Sequence, residues 1–181
     1  MRKYYKTMIT GALLLSSSVA VAQAPQAASP PPNVRTLQFG DWVLTCRKAD
    51  ASAQAQQNCE LVQTIMINGQ KDPFAQLAIG KTKPEPPLQM TVVVPHNITL
   101  PSSVKIAVDE KDKAPTDVAW TRCVQIGCFA SAPIKDDTQK KWSSLETQGR
   151  VTFKAGNGQD VAIPISFKGL KAALEALAKE K

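Results

Sequence analysis

The residues with the most chemistry to offer are four cysteines, and their spacing decides which chemistry is open to them. Cys46 and Cys59 bracket the polar segment Arg47 to Asn58, and Cys123 and Cys128 bracket Val124-Gln125-Ile126-Gly127. Neither pair has the C-x2-C spacing or the Cys/His company of a zinc site, and the C-x-x-C of a redox dithiol is absent. No metal and no cofactor is therefore expected. Four half-cystines allow three pairings, of which Cys46 with Cys59 and Cys123 with Cys128 is favoured, because each bridge then ties the two arms of a hairpin across its loop. Bridges closing loops this short are worth on the order of 2–3 kcal/mol each in the chain-entropy model.

Acid–base chemistry has less to work with. His96 is the single histidine and follows Pro95 in a turn, so a Ser-His-Asp or Cys-His arrangement would have to recruit that one residue while all four thiols are oxidised. The carboxylates of Asp109, Glu110 and Asp112, or of Asp136 and Asp137, could pair as general acid and base. They sit in charged surroundings that predict solvated loops with ordinary acidities. No glycine-rich phosphate loop leads from a strand into a helix. The chain is expected not to be an enzyme.

The elements that position these residues are extended. In Phe39-Gly40-Asp41-Trp42-Val43-Leu44-Thr45-Cys46, the side chains of Trp42, Leu44 and Cys46 share one face of a strand, which reads as the opening strand of a disulfide-stapled domain with Trp42 in its core. Further strands are predicted over 59–67, 74–79, 88–94, 98–100, 104–108, 118–123, 128–132, 150–155 and 161–167. Asn68-Gly69 and Gly156-Asn157-Gly158 mark hairpin turns, and Lys83 to Pro87 a further turn. Trp120 is a second aromatic available to the core. Pro164 places its strand at an edge. The β-branched run Met90 to Val94 reads as central. Helices are predicted over 135–148, with Asp136 and Asp137 suiting its N-terminal dipole, and over 170–179, whose Leu170, Ala173, Leu174 and Leu177 make an apolar stripe that docks on the sheet. Short strands with frequent turns and little helix point to an all-β sandwich, and the absence of helices between the early strands excludes a parallel α/β design.

Residues 1–22 have the form of a cleaved export signal. Arg2, Lys3 and Lys6 precede the apolar stretch Met8 to Val21, and Ala20-Val21-Ala22 supplies the small-x-small cleavage pattern. The segment 23–33, with Pro25 and Pro30 to Pro32, reads as an exposed tether, and 34–181 as a single β domain. No later run approaches the roughly 20 apolar residues of a membrane helix. The chain has 22 Lys and Arg against 15 Asp and Glu; with three basic residues in the signal, the mature chain keeps an excess of about four. That excess is spread out rather than clustered, which argues against a nucleic-acid partner and is accounted for equally by solubility or by affinity for anionic envelope surfaces.

The Phe-Gly-Asp-Trp opening with Cys46, the strand Cys59-Glu60-Leu61-x-Gln63, Val94-Pro95 ahead of Leu100, Cys123 with Cys128, and the ending Ile163-Pro164-Ile165-Ser166-Phe167-Lys168-Gly169-Leu170-x-x-Ala173-Leu174 together resemble the invasion-associated locus B family of α-proteobacterial envelope proteins. The resemblance runs from Thr36 to Ala178. It implies an immunoglobulin-like β-sandwich exported to the periplasm or outer envelope, in a family named for host-cell invasion. It carries over no catalytic residue, and Gly169-Leu170 stands where relatives often have Gly-Phe. The expectation that follows is a non-catalytic envelope protein that binds a protein or glycan partner. The alternative is a small-ligand carrier or hydrolase with a pocket between the sheets, marked by an enclosed cavity lined by His96 or paired acids.

Overall fold

The computed structural model describes residues 33–48, 57–67, 69–81 and 87–180. The predicted export signal, the tether up to residue 32, residues 49–56 of the first cysteine loop, Asn68, Thr82 and residues 83–86 of the Lys83 to Pro87 turn lie outside them.

Ten strands follow in chain order: β1 (Val34–Phe39), β2 (Trp42–Lys48), β3 (Gln57–Ile65), β4 (Ala75–Gly80), β5 (Gln89–Val94), β6 (Ser103–Ala107), β7 (Thr116–Val124), β8 (Gly127–Pro133), β9 (Gln148–Lys154) and β10 (Asp160–Ser166). Two helices, α1 (Asp136–Ser143) and α2 (Leu170–Lys179), complete the chain. Every strand pairing is antiparallel, in the spatial order β1-β2-β3-β4-β5-β8-β7-β6-β9-β10. The expected all-β, sandwich-like architecture is present.

The layering depends on β7. Its first half pairs with β6 and its second half with β8, with a register shift between Trp120 and Arg122. An extra residue bends a strand and sharpens its twist, so β7 leaves one sheet and enters the other. Alternating residues of the two sheets meet between them: Trp42, Leu44 and Leu61 from one side, Val104, Ile106, Val151 and Ile163 from the other, all buried. Over β1–β3 the interior is closed by α2, whose Leu170, Ala173, Leu174 and Leu177 are the buried residues of that helix, as the stripe predicts. Trp142 of α1 packs on Phe167, with ring centroids 5.8 Å apart.

Three expectations need correcting. Phe39 to Cys46 is not one strand: the chain reverses at Gly40-Asp41, where Gly40 takes φ 57°, so Val34 to Phe39 is a separate strand in register with β2. Trp42, Leu44 and Cys46 nonetheless face inward together. Ile98 to Leu100 contributes only an isolated bridge, Ile98 with Ala155, since Pro95 and Pro101 flank it and Asn97 sits at φ 77°. Helix α1 stops at Ser143 rather than Gln148, because the hydroxyls of Ser143 and Ser144 bond back to the carbonyls of Lys140 and Lys141 and Gln148 is already committed to β9. The edge position of β10 and the central position of β5 are as Pro164 and the Met90 to Val94 run predict.

Candidate functional site

Two motifs from opposite ends of the chain interlock where β10 approaches the first sheet. A Cβ added to Gly169 would lie 2.4 Å from the Phe39 carbonyl oxygen, and one added to Gly40 would lie 2.6 Å from that of Lys168. Both glycines also hold positive φ, 57° at Gly40 and 81° at Gly169, which β-carbon sterics oppose. Backbone can therefore cross backbone, and the Asp41 N–H donates to the Lys168 carbonyl at 3.2 Å. Beside this crossing, Trp42 Nε1 donates to the Ser166 carbonyl at 3.0 Å.

Gln63 completes the seam. It is 5% exposed and points inward from β3; its Nε2 donates to the Ser166 carbonyl at 2.9 Å and its Oε1 accepts from the Ser166 N–H at 2.8 Å. A side-chain amide here occupies the place of a neighbouring strand, satisfying both backbone groups of one residue. Ser166 must then turn its backbone groups away from β9, and in an antiparallel strand Pro164, two residues before it, faces the same edge. Proline at that position leaves no N–H bare on the edge.

Outside the seam lies an open groove of about 460 Å³, within the size range of small-ligand sites. Its lining includes the cross-strand pair Val43 and Val62, and Pro164 and Ser166 of β10. Met66 and Gln148 also line it, and Asp41 is its charged lining residue. Among the described residues the largest fully buried side chains, Trp42, Trp142, Phe167, Leu44, Leu61 and Met90 among them, belong to one core cluster. Every buried side-chain polar atom of the described residues has a hydrogen-bond partner.

The structure joins Cys46 to Cys59 and Cys123 to Cys128, each pair directly opposed on adjacent strands. Glu180, capping α2, covers the first bridge: Arg35 pairs with its carboxylate, Gln57 Nε2 donates to it at 2.9 Å, and Lys81 Nζ donates to its backbone carbonyl. Although this carboxylate and the two sulfurs lie within 4.8 Å of one another, the sulfurs are bonded to each other and the carboxylate is already engaged, so the cluster is a lid on the bridge rather than a ligand set. In the second bridge Cys128 is buried while Cys123 is exposed near the β7–β8 turn. Trp42 is wholly buried; Trp120 is half-buried, donating from Nε1 to Ser102 Oγ at 3.0 Å and meeting Phe153 edge-on.

His96 is exposed, with Nε2 against the Val124 carbonyl. The candidate carboxylates hold local structure. Asp112 accepts from the N–H groups of Val108 at 3.0 Å and Ala114 at 3.2 Å and faces Lys141 Nζ at 3.4 Å. These hold its carboxyl below the ordinary aspartate range, the Val108 bond foremost and against the opposing effect of burial. The expectation of an ordinary acidity fails for Asp112, and the shift runs away from what a general acid needs. Asp109 accepts from the Lys111 N–H, Glu110 pairs with Arg150 at 3.4 Å, and Asp136 and Asp137 lie exposed in the first turn of α1.

Sequence reasoning named Asp41, Gln63 and Ser166 only as parts of motifs, read Pro164 only as an edge marker, and did not single out Val43, Val62, Met66 or Gln148 as site residues. The available signal was Gln63, a polar residue in phase with Cys59 and Leu61 on the inward face of its strand.

Fold and seam together define a class: an all-β, sandwich-like domain braced by two cross-strand disulfides and locked by the crossing of its first and last motifs. The sequence pattern of the Invasion associated locus B (IalB) protein family matches residues 42–178, and the chain belongs to that family. Its fold is similar to the crystal structure of invasion associated protein B from Bartonella henselae, with a TM-score of 0.65 at 17% identity, over 79% of this chain and 95% of that one. No curated protein matches the chain. No helix among the described residues is long and apolar enough to cross a membrane.

Proposed function

We propose that this IalB-family chain is an exported, non-catalytic envelope protein, periplasmic or outer-envelope associated, that binds a protein or glycan partner through the groove beside β10, with host-cell association as one role. Export is supported by the signal-like residues 1–22, the two disulfides and family membership. The observation that carries the binding reading is where the groove sits: Asp41, Gln63 and Ser166 line it and also form the seam, so its walls are held by the seam's hydrogen bonds. A preformed surface loses little freedom on binding, and an apolar floor with an amide-rich rim suits either a glycan or a peptide.

The test presents the oxidised mature protein and its Val62→Arg variant to a glycan array and to host-surface protein extracts. Retention of the same component by wild type and at least tenfold weaker retention by the variant, with unchanged Tm, is the expected result. Equal retention by both removes the groove from the reading, and fractionation that finds the protein in the cytoplasm removes export.

A further inference from the structure

The opposite end of β10's turn, built from three loops, has a surface of a different kind. Among the described residues six large apolar side chains are exposed, and three of them belong here: Leu100 at 63%, Val124 at 42% and Ile126 at 77%. Val124 and Ile126 sit at the turn of the β7–β8 hairpin. The loop holding Leu100 is tied to that hairpin by His96 on the Val124 carbonyl and by Trp120 on Ser102. The β9–β10 turn joins the same end through the Gly156 N–H on the Asn97 carbonyl at 2.7 Å.

The tip is stiff. Cys123–Cys128 clasps its base, and Gly127 at φ 145° lies so close to the Val94 carbonyl that a Cβ would stand 2.5 Å from its oxygen. Charge is distributed unevenly around it: segments 95–102, 118–134 and 155–159 contain no Asp or Glu, although the chain has 15. The cation of the hairpin is Arg122, whose guanidinium lies 4.9 Å from the Phe129 ring centroid.

We propose that this end docks on the surface of an anionic phospholipid bilayer, with Ile126, Val124 and Leu100 entering the interface and Arg122 meeting the headgroups. Projecting aliphatic side chains beside a cation, on loops that carry no Asp or Glu of their own and have Asp117 and Asp160 only at their margins, fit the boundary between headgroup and acyl chain. Three side chains, two on the hairpin tip and one on the neighbouring loop, are few beside the about 20–30 residues a side and roughly 1,200 Å² buried by a stable interface between copies. Docking of this kind is peripheral and reversible, and it leaves the groove free for a partner.

The test is co-sedimentation of the processed, oxidised protein with vesicles of phosphatidylcholine alone or mixed with phosphatidylglycerol. Wild type is expected to partition onto the mixed vesicles, Val124→Ser with Ile126→Ser to weaken that at least tenfold, and Arg122→Gln to weaken it about fivefold. The substituted side chains are exposed, so an unchanged Tm checks the fold. A separate Ile126→Trp variant is expected to blue-shift its emission with mixed vesicles only. Equal partition of wild type and the double serine variant overturns the proposal, as does equal binding to both vesicle types. Self-association abolished by Ile126→Ser, with vesicles left unbound, assigns the tip to a second copy and overturns it too.

Discussion

Replacing Gln63 by leucine keeps the volume of a buried side chain and deletes both hydrogen bonds to Ser166, so it isolates what the seam contributes. The Ser166 N–H, which donates to Gln63 Oε1 at 2.8 Å, loses its partner, while the Ser166 carbonyl keeps the bond from Trp42 Nε1. Stranding this part-buried N–H costs up to about 1–3 kcal/mol, and removing one of two donors to a carbonyl adds about 0.5–1 kcal/mol. Gln63→Leu should therefore destabilise by about 2–4 kcal/mol. Trp42→Phe removes the other donor at a cost of about 1 kcal/mol for the hydrogen bond, with a further loss from the smaller ring. Because both donors serve one carbonyl, the double variant strands it completely and should exceed the sum of the singles by about 1 kcal/mol. Gln63→Glu should be worse than Gln63→Leu, since it sets a buried carboxylate against a carbonyl oxygen. Urea unfolding of the oxidised protein reads these differences, provided the m-value is unchanged across the set. A Gln63→Leu cost below about 0.5 kcal/mol, or strict additivity in the cycle, would refute the view that this amide replaces a strand.

Other substitutions probe different contacts. Gly169→Ala should cost more than about 2 kcal/mol because its Cβ meets backbone as well as positive φ, whereas Gly158→Ala, also at positive φ but with nothing within 4 Å, should cost about 1 kcal/mol; similar losses would discount the crossing of the two motifs. Leu177→Ala should cost about 2–5 kcal/mol in thermal or urea unfolding, as expected for a core side chain 1% exposed, and a near-neutral result would mean that α2 is not closing the interior. Asp112→Ala should cost about 1–2 kcal/mol at neutral pH. Since folding lowers the Asp112 pKa, its contribution is complete above the unfolded value of about 4 and fades as pH falls through the folded value, so the wild-type and variant stability curves should converge below about pH 4. Curves that stay parallel into acid would remove the ionised carboxylate from the explanation.

Much of the fold was legible because it rests on local pattern. The alternation in Val104 to Val108, the spacing of Leu170, Ala173, Leu174 and Leu177, and the edge position implied by Pro164 each follow from the geometry of a single segment. Errors fell where neighbouring elements decide. The reversal at Gly40-Asp41 could pass for the middle of a strand because the apolar face resumes at Trp42, and Ile98 to Leu100 is apolar enough for a strand but has no continuous neighbour to pair with.

By itself the sequence determined how this chain alternates, which four residues could be oxidised together and which helix face had to be covered, since these depend on side chains a few positions apart. Tertiary structure alone decided that β7 belongs to two sheets, that Gln63 would reach Ser166 103 residues away, and that Phe39-Gly40 would cross Lys168-Gly169. It also decided that an acid-free apolar tip would form from three separate loops. The physical reason is common to all of these: a hydrogen bond or a close approach between distant residues has no periodicity along the chain, and exists only once the packed sheets have fixed both partners in place.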